Sequence, residues 1–462
     1  MVLWESLLRA NGQPVGVLSD AQRGVRLGAL GNASCLGADL EALRGRSVVV
    51  AVRDQLTAAL ALIELDGVAR RMVLCPAGIT PEHLSHVIRV GQADAWLADE
   101  PGGEPPQDAR LPVRVTANPV LRSCTVARRA THETQWVLLT SGTTGAPKLV
   151  LHTLASLVSA IVAEGSGQGP GTVWSTFYDI RRYGGLQIFL RALLGGSLVL
   201  SSPDEAVPSF LGRAAAAGVS HISGTPSHWR KALMSGAAGT FSPAYVRLSG
   251  EIADQGILDA LRAAFPAAIV AHAFASTEAG VGFEVRDGLA GFPESLVGLR
   301  SNGVELDISR GTLRLRSAGN SAGYLGDGAA LKDDEGFVDT GDRLELREGR
   351  YYFLGRSGGI INVGGLKVHP EEVEAVINAH PAVRMSLVKA RRNPITGAVV
   401  AADVVLENPK LAIGEATPHE RLRQEILAHC RSSLAAHKVP ALIHFVTSLE
   451  VSASGKLVRP DA

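Results

Sequence analysis

The sequence predicts an α/β fold with a large N-terminal domain of parallel-rich sheets covered by helices and a small mobile α+β C-terminal domain. Three observations support this prediction. Short β-rich apolar runs alternate with longer Ala/Leu-rich segments, which is typical of parallel sheets. Short strands and turns replace this alternation after residue 290 and indicate a small β-rich subdomain. Residues 357–359, Ser-Gly-Gly, are expected to be a flexible joint, which places the domains at 1–356 and 357–462.

The alternation can be followed in order from residue 47. We predict a strand at 47–52, a helix at 54–65, a strand at 72–75, a helix at 82–91 and a strand at 95–98. A Gly/Pro-rich stretch interrupts the pattern, and further strands are predicted at 136–139, 198–200 and 269–271. The short strands of the β-rich subdomain are predicted at 312–316, 343–346 and 351–353.

The composition argues against several classes of partner. Lys+Arg and Asp+Glu both total 45 in 462 residues, so no net charge favours nucleic acid or a membrane surface. No apolar run is long enough to span a bilayer, and the first residues lack the pattern of a signal peptide. The four cysteines show no metal-ligand spacing. A reduced, cytoplasmic location is therefore predicted.

The sharpest local feature is a loop rich in glycine and hydroxyl residues, which follows the strand predicted at 136–139. Glycines let backbone N–H groups close on an anion, hydroxyl groups add donors, and a lysine adds positive charge. The loop is not a Walker A sequence, and the alternative is an ordinary turn between a strand and a helix. The candidate triphosphate-binding residues are Thr140, Ser141, Gly142, Thr143, Thr144, Gly145 and Lys148.

This loop resembles the signature loop of the adenylate-forming superfamily, which includes acyl-CoA synthetases, nonribosomal peptide adenylation domains and firefly-type luciferases. Further motifs similar to those of the superfamily follow in the expected order, and the resemblance is strongest over residues 139–456. It implies ATP and Mg²⁺ as cofactors and an acyl-adenylate as intermediate. CoA, or a phosphopantetheine carrier, is the implied acceptor.

Residues 274–278, Phe-Ala-Ser-Thr-Glu, are similar to an aromatic-Gly-x-Thr-Glu motif of the superfamily. The resemblance implies that Glu278 holds Mg²⁺, an ion that binds carboxylate and phosphate oxygens together, and that Thr277 contacts the α-phosphate. The alternative is a helix N-terminus capped by Ser276 or Thr277. The other nucleotide-binding residues implied in this part of the chain are Gly250, Glu251, Phe274, Ala275 and Ser276.

Three further motifs complete the resemblance. Thr340-Gly341-Asp342 and Arg356 imply a ribose site formed by Asp342 and Arg356. The terminal Gly-Lys-Leu-Val-Arg motif implies that Lys456 is the catalytic lysine, with Thr277 and Glu278 as its catalytic partners. The resemblance also implies a hinge at Gly358, where many members carry Asp or Lys. The residues implied at the thiol tunnel are Gly364, Gly365 and Lys367.

The segment expected to bind the acid is unusual because it carries three charges, Asp179, Arg181 and Arg182. Asp179 could pair with an amino group of the substrate, or one of the arginines could bind a second carboxylate or a phosphate. The alternative is a surface salt-bridge cluster without a functional role. The candidate acyl-pocket residues are Tyr178, Asp179, Arg182, Tyr183, Gly184, Thr225 and Gly280.

The resulting hypothesis is an acid–thiol ligase that forms an acyl-AMP, releases pyrophosphate, and passes the acyl group to CoA. Loading of a carrier protein is the nearest alternative, and a non-catalytic adenylate-binding or regulatory protein is an alternative of another class. The expected partners are a small carboxylic acid and CoA or an acyl carrier protein, without nucleic acid or membrane, in a monomer or homodimer.

Overall fold

The computed structural model describes most of the chain. The described residues are 2–5, 16–100, 103–107, 109–124, 129–140, 146–163, 171–202, 204–326, 330–356, 359–393, 397–408, 416–452 and 456–458. Strands and helices are numbered below in chain order. Short 3₁₀ helices lie at Leu27–Gly31, Gly37–Leu43, Ala237–Thr240, Glu294–Leu296 and Ala436–Lys438.

The larger of the two main sheets has eight strands in the order β16-β15-β14-β13-β11-β12-β1-β2. The strands from β15 to β1 in this order are parallel, and antiparallel pairs close both edges. Its strands are β1 (Val17–Ser19), β2 (Gly24–Arg26), β11 (Val173–Thr176), β12 (Ser197–Val199), β13 (His221–Gly224), β14 (Tyr245–Ser249), β15 (Ile269–Ser276) and β16 (Gly280–Val285).

The second main sheet has seven strands in the order β21-β10-β9-β5-β4-β6-β7. Strands β9 to β7 in this order are parallel, whereas β10 and β21 add to the edge in antiparallel fashion. Its strands are β4 (Ser47–Val50), β5 (Arg71–Leu74), β6 (Ala95–Ala98), β7 (Val113–Thr116), β9 (Gln135–Thr140), β10 (Lys148–Thr153) and β21 (Gly323–Tyr324). A small two-stranded sheet is formed by β3 (Ala33–Ser34) and β8 (Arg122–Ser123).

Helices pack on these sheets and join them in shared hydrophobic cores. The helices of this part are α1 (Gln55–Leu65), α2 (Pro81–Val90), α3 (Leu154–Ala163), α4 (Tyr183–Leu193), α5 (Val207–Ala216), α6 (Pro226–Met234) and α7 (Gln255–Ala264). Every residue of α1 is buried, as expected for a helix that is apolar on all sides. Helices α1, α3 and α4 lie in the largest core, which includes residues of both main sheets.

The β-rich subdomain is a six-stranded antiparallel sheet in the order β17-β23-β22-β20-β19-β18. Its strands are β17 (Phe292–Pro293), β18 (Arg300–Ser301), β19 (Val304–Ser309), β20 (Thr312–Ser317), β22 (Val338–Arg347) and β23 (Arg350–Arg356). The C-terminal part has its own core. Its elements are β24 (Ile361–Val363), β25 (Leu366–Val368), α8 (Pro370–Asn378), β26 (Val383–Asn393), β27 (Gly397–Leu406), α9 (Ala416–Ser433) and β28 (Leu442–Phe445).

The predicted α/β architecture is confirmed, and most element boundaries differ by one or two residues. The helix predicted at 54–65 is α1, which Asp54 caps by accepting the N–H of Thr57 at 2.8 Å. The strands predicted in the β-rich subdomain lie within β20, β22 and β23. The domain boundary after Arg356 stays a prediction, because residues 357–358 lie outside the described part. Among the described residues, no helix has the length and apolar character needed to cross a bilayer.

Candidate active site

The candidate site lies where the parallel strands β11, β13 and β14 end. The chain leaves these strands at Phe177, Thr225 and Gly250, so the residues that follow meet at one edge of the sheet. The carboxyl ends of parallel strands are the usual location of ligand sites in open α/β sheets. The predicted pocket residues Tyr178 and Thr225 are therefore brought together with the predicted nucleotide residues Gly250 and Glu251.

The predicted phosphate loop connects two antiparallel strands. Thr140 ends β9 and Lys148 begins β10, and the two residues face each other in the sheet register. The alternative of a turn between a strand and a helix is thus wrong, because the chain reverses into a β-hairpin. The loop residues Ser141, Gly142, Thr143, Thr144 and Gly145 lie outside the described residues.

Glu278 lies in a turn close to this hairpin. Residues 277–279 join the antiparallel strands β15 and β16, so the alternative of a capped helix start is wrong. The Tyr324 hydroxyl donates a hydrogen bond to Glu278 Oε1 at 3.2 Å, and the Lys148 ammonium lies 4.8 Å from the centre of the Tyr324 ring. Strand β21 carries Tyr324 and pairs with β10, and this pairing brings Lys148 and Glu278 to the same corner.

This corner fits Mg²⁺ only as an ion shared with phosphate. The described residues contain no group of three or more His, Cys, Asp and Glu side chains that could hold a metal by themselves. Mg²⁺ in nucleotide sites is commonly bound by one or two carboxylates together with phosphate oxygens and water. A single half-buried carboxylate, Glu278, beside a cationic side chain suits that mode of binding.

His152 is hydrogen-bonded to the turn that carries Glu278. Its side chain is fully buried on β10, and its Nε2 lies 2.7 Å from the carbonyl oxygen of Thr277. Since a carbonyl only accepts, Nε2 carries the hydrogen, and Nδ1 faces the Ser156 hydroxyl at 3.0 Å. Burial lowers the pKa of His152 to about 4, and the Thr277 contact opposes the shift. The neutral imidazole therefore positions the turn.

Phe274, the expected neighbour of the adenine, belongs to an aromatic stack. Its ring lies 5.3 Å from that of Phe353 and 5.9 Å from that of Phe283, both nearly parallel. Ala275 and Ser276 follow it on β15, where a register shift between Phe274 and Ala275 marks a bulge. The Ser276 hydroxyl accepts the N–H of Ala279 at 2.9 Å and so closes the turn that carries Glu278.

Asp342 and Arg356, the predicted ribose contacts, face each other across β22 and β23. Arg356 Nε donates to Asp342 Oδ1 at 3.3 Å, and the arginine side chain is largely exposed. Burial raises the pKa of Asp342, while Arg356, Thr340 and Lys456 lower it. The structure therefore places Lys456 close enough to Asp342 for their charges to interact.

Lys456 enters the site from the C-terminal part of the chain. Its Cε passes over Gly250, where an added Cβ would lie 3.6 Å from it, and Gly250 has a φ of +87° that favours glycine. The residue as a whole is exposed, while its ammonium lies near several charged groups. Burial of the ammonium among these groups lowers the pKa of Lys456. Arg356 and Arg182 lower it further, and Glu251 and Asp342 oppose them.

Glu251 links the two parts of the chain at this point. Its carboxylate accepts the Leu457 N–H at 3.0 Å, and it also accepts the N–H and hydroxyl of Ser227 at 2.9 and 3.0 Å. Leu457 directly follows Lys456. The resemblance placed Glu251 among the nucleotide-binding residues, whereas the described contacts of its side chain are with protein groups.

Of the three charged residues after β11, Asp179 and Arg181 form an ion pair with each other, whereas Arg182 does not take part. Arg181 binds both oxygens of Asp179 at 2.7 Å, and its Nη1 donates to the carbonyl of Val52. Arg181 is only 3% exposed, so the alternative of a surface salt-bridge cluster is wrong for this pair. Arg182 is partly buried, and its Nε has no hydrogen-bond partner among the described residues.

The remaining acyl-pocket candidates lie in this segment or at the ends of neighbouring strands and helices. The Tyr178 hydroxyl donates to the carbonyl of Ser249 at 2.6 Å, and Gly184 leaves room beside the Tyr178 ring. Thr225 caps α6 by accepting the His228 N–H at 3.0 Å. Tyr183 begins α4, and its ring lies 5.7 Å from that of His152. Gly280 begins β16, at the end of the Glu278 turn.

The predicted thiol-tunnel residues lie at the tip of a hairpin. Gly364 and Gly365 both have positive φ and form the two-residue turn between β24 and β25, which is typical of a type I′ turn. Strand β25 lies between this turn and α8. Both glycines and Lys367 are exposed. The predicted hinge, Gly358, lies outside the described residues.

Sequence reasoning did not assign a function to two residues of this arrangement. They are His152, which donates to the Thr277 carbonyl, and Tyr324, which donates to Glu278. The sequence does contain an indication for His152, because it lies on the strand that follows the predicted phosphate loop. A histidine buried on such a strand is expected to be hydrogen-bonded. No local signal linked Tyr324 to Glu278, since the strand pairing that joins them is long-range.

Two family models match the chain. The model described as AMP-binding enzyme matches residues 46–325, and the model described as AMP-binding enzyme C-terminal domain matches residues 372–456. The chain belongs to the AMP-binding enzyme family. The resemblance to adenylate-forming enzymes is thereby confirmed, and both parts of this AMP-binding enzyme are represented.

Curated relatives share parts of this AMP-binding enzyme. Mitochondrial acyl-coenzyme A synthetase ACSM1 of Homo sapiens is 38% identical over 126 residues, 27% of this chain and 21% of the relative. 4-Hydroxybutyrate–CoA ligase 1 of Metallosphaera sedula is 27% identical over 356 residues, 70% of this chain and 60% of the relative. 2-Succinylbenzoate–CoA ligase of Salmonella typhimurium is 34% identical over 259 residues, 54% and 53% of the two chains. The match with ACSM1 thus spans about a fifth of that relative.

Solved structures share the fold over nearly the whole AMP-binding enzyme. A benzoate CoA ligase from Burkholderia xenovorans LB400 has a TM-score of 0.81 at 19% identity, covering 99% of this chain and 98% of that chain. The anthranilate CoA ligase AuaEII in complex with anthranoyl-AMP has a TM-score of 0.79 at 18% identity, covering 98% and 94%. These likenesses confirm the fold class.

Proposed function

We propose that this AMP-binding enzyme activates a carboxylic acid with ATP to an acyl-AMP, releases pyrophosphate, and then transfers the acyl group to the thiol of CoA. One observation carries the proposal: the Lys456 ammonium lies among the charges of Asp342, Arg356 and Glu251. Relatives named as acyl-CoA synthetases and CoA ligases support CoA as the acceptor.

In the first half-reaction a carboxylate oxygen of the acid attacks the α-phosphorus, and the bond to the β-phosphate breaks. Both reactants are anionic, so a fixed ammonium between them stabilises the charge of the transition state. Lys456 is suited to this role because it reaches the strand ends near Gly250. Asp342 and Arg356 would hold the ribose, and Thr277 with residues 140–148 would hold the phosphates. When bound, Mg²⁺ would neutralise phosphate charge, and Glu278 is the residue that would hold it.

In the second half-reaction a thiol attacks the carbonyl carbon of the acyl-adenylate, and AMP leaves with the bonding electron pair. Lys456 then has to withdraw so that the hairpin turn at Gly364 and Gly365 can reach the site. Rotation about Gly358 would exchange them. The exposure of the hairpin tip supports this proposal, because few contacts hold it in place.

A pyrophosphate-exchange assay over a panel of carboxylic acids tests the first half-reaction. Lys456→Ala should abolish ATP–pyrophosphate exchange, because no other ammonium would lie between the reactants. Lys389→Ala is a matched control, since Lys389 pairs with Asp403 between β26 and β27. Exchange that persists at the full rate in Lys456→Ala would exclude the proposed role of this lysine.

The acceptor is tested separately by supplying CoA or a phosphopantetheinylated carrier protein after the acyl-AMP has formed. Thioester formation with free CoA is expected. Release of AMP only with the carrier protein would favour the carrier-loading alternative, and binding of acyl-AMP without turnover would favour a non-catalytic role.

We also propose that the reaction takes place in a reducing compartment such as the cytoplasm. None of the four cysteines, all of them at described positions, forms a disulfide, and Cys35, Cys75 and Cys430 are buried. Burial raises the pKa of Cys75 to about 12 and that of Cys430 to about 11, so neither is a reactive thiolate at neutral pH. Fractionation of the native cells with detection of the protein tests this location.

A further inference from the structure

Arg181 and Asp179 form an ion pair in the segment predicted to bind the acid. The Arg181 guanidinium uses its donors on both Asp179 oxygens and on the carbonyl of Val52. The Arg181 N–H also donates to Asp179 Oδ1 at 2.9 Å. Because these groups are satisfied within the fold, the pair holds the segment against the end of β4, and Asp179 is already engaged by a cation.

Arg182 follows in sequence without a comparable partner. Its Nε is buried and unbonded, and the part of the chain that the structure describes contains no ion pair to its guanidinium. Burial lowers the pKa of Arg182, the Asp179 carboxylate opposes this, and Arg181 adds to it. A guanidinium nevertheless stays protonated, and a partly buried cation without a paired anion is costly. The fold thus leaves one positive charge to be balanced.

Arg182 lies near the proposed catalytic lysine. It is between the end of β11 and the first residue of α4, in the same segment as Tyr178 and Gly184. Its charge also acts on Lys456, so the two cations lie near each other. An acid whose reacting carboxylate contacts Lys456 would extend toward Arg182.

We propose that Arg182 binds a second carboxylate on the acid, so that the substrate class is a dicarboxylic acid activated at one end. This inference rests on the proposed function and narrows it. The planar guanidinium matches a carboxylate through two parallel hydrogen bonds, which a lysine in its place would not reproduce. The carboxylate at Arg182 is not activated because it lies away from the α-phosphate.

Pyrophosphate exchange with matched pairs of acids tests this inference. Each pair shares one skeleton, for example benzoate with its three dicarboxylate isomers, and butyrate with succinate and glutarate. The wild-type protein should give a higher kcat/KM with at least one dicarboxylate than with its monocarboxylate partner. The loss of a charge-assisted contact predicts that Arg182→Met lowers this preference roughly 10- to 100-fold, mainly by raising the KM for the dicarboxylate.

Two further variants complete the experiment. Arg182→Lys keeps the charge but not the paired donors, so it should keep part of the preference and serves if Arg182→Met does not fold. Arg421→Met removes an exposed arginine of α9 and should change nothing.

The outcomes separate the two hypotheses. Exchange with monocarboxylates but without preference for any dicarboxylate would overturn the inference about Arg182 and leave the proposed function standing. An equal loss for both members of a pair in Arg182→Met would also overturn it, since Arg182 would then act on the shared carboxylate or the α-phosphate. Absence of exchange with every acid would overturn the proposed function and the inference with it.

Discussion

The Glu251 carboxylate accepts the backbone N–H of Leu457 at 3.0 Å, and this bond fixes the residue that follows Lys456. Glu251 also holds Ser227 at the start of α6. Three donors from two parts of the chain therefore converge on one carboxylate at the end of β14. The catalytic position proposed for Lys456 depends on this contact between distant segments.

Glu251→Gln is expected to impair adenylation selectively. The amide nitrogen would face an N–H or hydroxyl donor, so one of the three hydrogen bonds to a charged group is lost, which predicts a roughly 10- to 100-fold fall in pyrophosphate exchange. Thioester formation from supplied acyl-AMP should be unchanged, because Lys456 is proposed to leave the site for that step. Glu294→Gln, an exposed glutamate, is the control. Equal losses in both half-reactions would contradict this role.

His152→Phe is expected to destabilise the Glu278 turn. The phenyl ring is larger than imidazole and has no N–H, so the buried carbonyl of Thr277 loses its donor, which costs about 1–3 kcal/mol of unfolding free energy. Denaturant unfolding measures this cost, and pyrophosphate exchange should fall because Thr277 and Glu278 move. His444→Phe, on an exposed residue of β28, should have little effect on either quantity.

The same histidine gives the protein a pH dependence. In the folded protein the pKa of His152 lies at about 4 because of burial, below the ordinary value of 6.5. Between these two pH values the unfolded chain binds a proton at His152 and the folded protein does not. The stability contributed by neutral His152 is therefore lost as the pH falls from about 6.5 to about 4. Unfolding measured across this range should show a weaker pH dependence in His152→Phe. An unchanged slope would mean that His152 is not buried as described.

Glu284→Gln should destabilise the sheet that carries the site. Glu284 accepts Arg247 at 3.0 Å and the Tyr245 hydroxyl at 2.6 Å, and Arg247 is 4% exposed. Removal of the carboxylate charge breaks the ion pair with the buried Arg247 guanidinium, with an expected cost of about 3 kcal/mol in unfolding free energy. Glu345→Gln, in an exposed ion pair on β22, should cost less than about 1 kcal/mol.

This carboxylate also predicts loss of stability in acid. Burial favours protonated Glu284, but Arg247, Tyr245 and Arg286 outweigh it and lower the pKa to about 2. The folded pKa lies below the ordinary value, so the stabilisation is complete above about 4.5 and is lost as the pH falls toward about 2. In Glu284→Gln the stability should fall less over this pH range than in the wild type. Melting temperatures measured from pH 5 to pH 2 test this, and an unchanged pH dependence would contradict it.

Tyr324→Phe is expected to weaken nucleotide binding moderately. The aromatic face beside Lys148 is kept, while the hydroxyl that donates to Glu278 is removed. The KM for MgATP should rise up to roughly tenfold with a smaller change in kcat, as expected for one hydrogen bond to a charged group. Tyr352→Phe, on β23, is the control. A fall in kcat at unchanged KM would contradict a binding role.

The sequence was sufficient to predict the architecture and the order of the motifs. Alternating apolar runs predicted β4, α1, β5 and β6, because local hydrophobic periodicity and propensity act over a few residues. Asp54 could be expected before α1 for the same reason, since a cap is a local interaction. The motif residues from Thr140 to Lys456 were predicted from their resemblance to superfamily motifs that follow in the same order.

By itself, the sequence determined which residue types are present and in which order, and it left their partners open. Only the tertiary structure decided that 274–278 continue a strand into a turn, that Asp179 is engaged by Arg181 while Arg182 is not, and that Glu251 and Leu457 meet across 206 positions. The reason is physical. Hydrogen bonds and ion pairs between distant segments depend on how sheets and domains pack, and no local pattern encodes that packing.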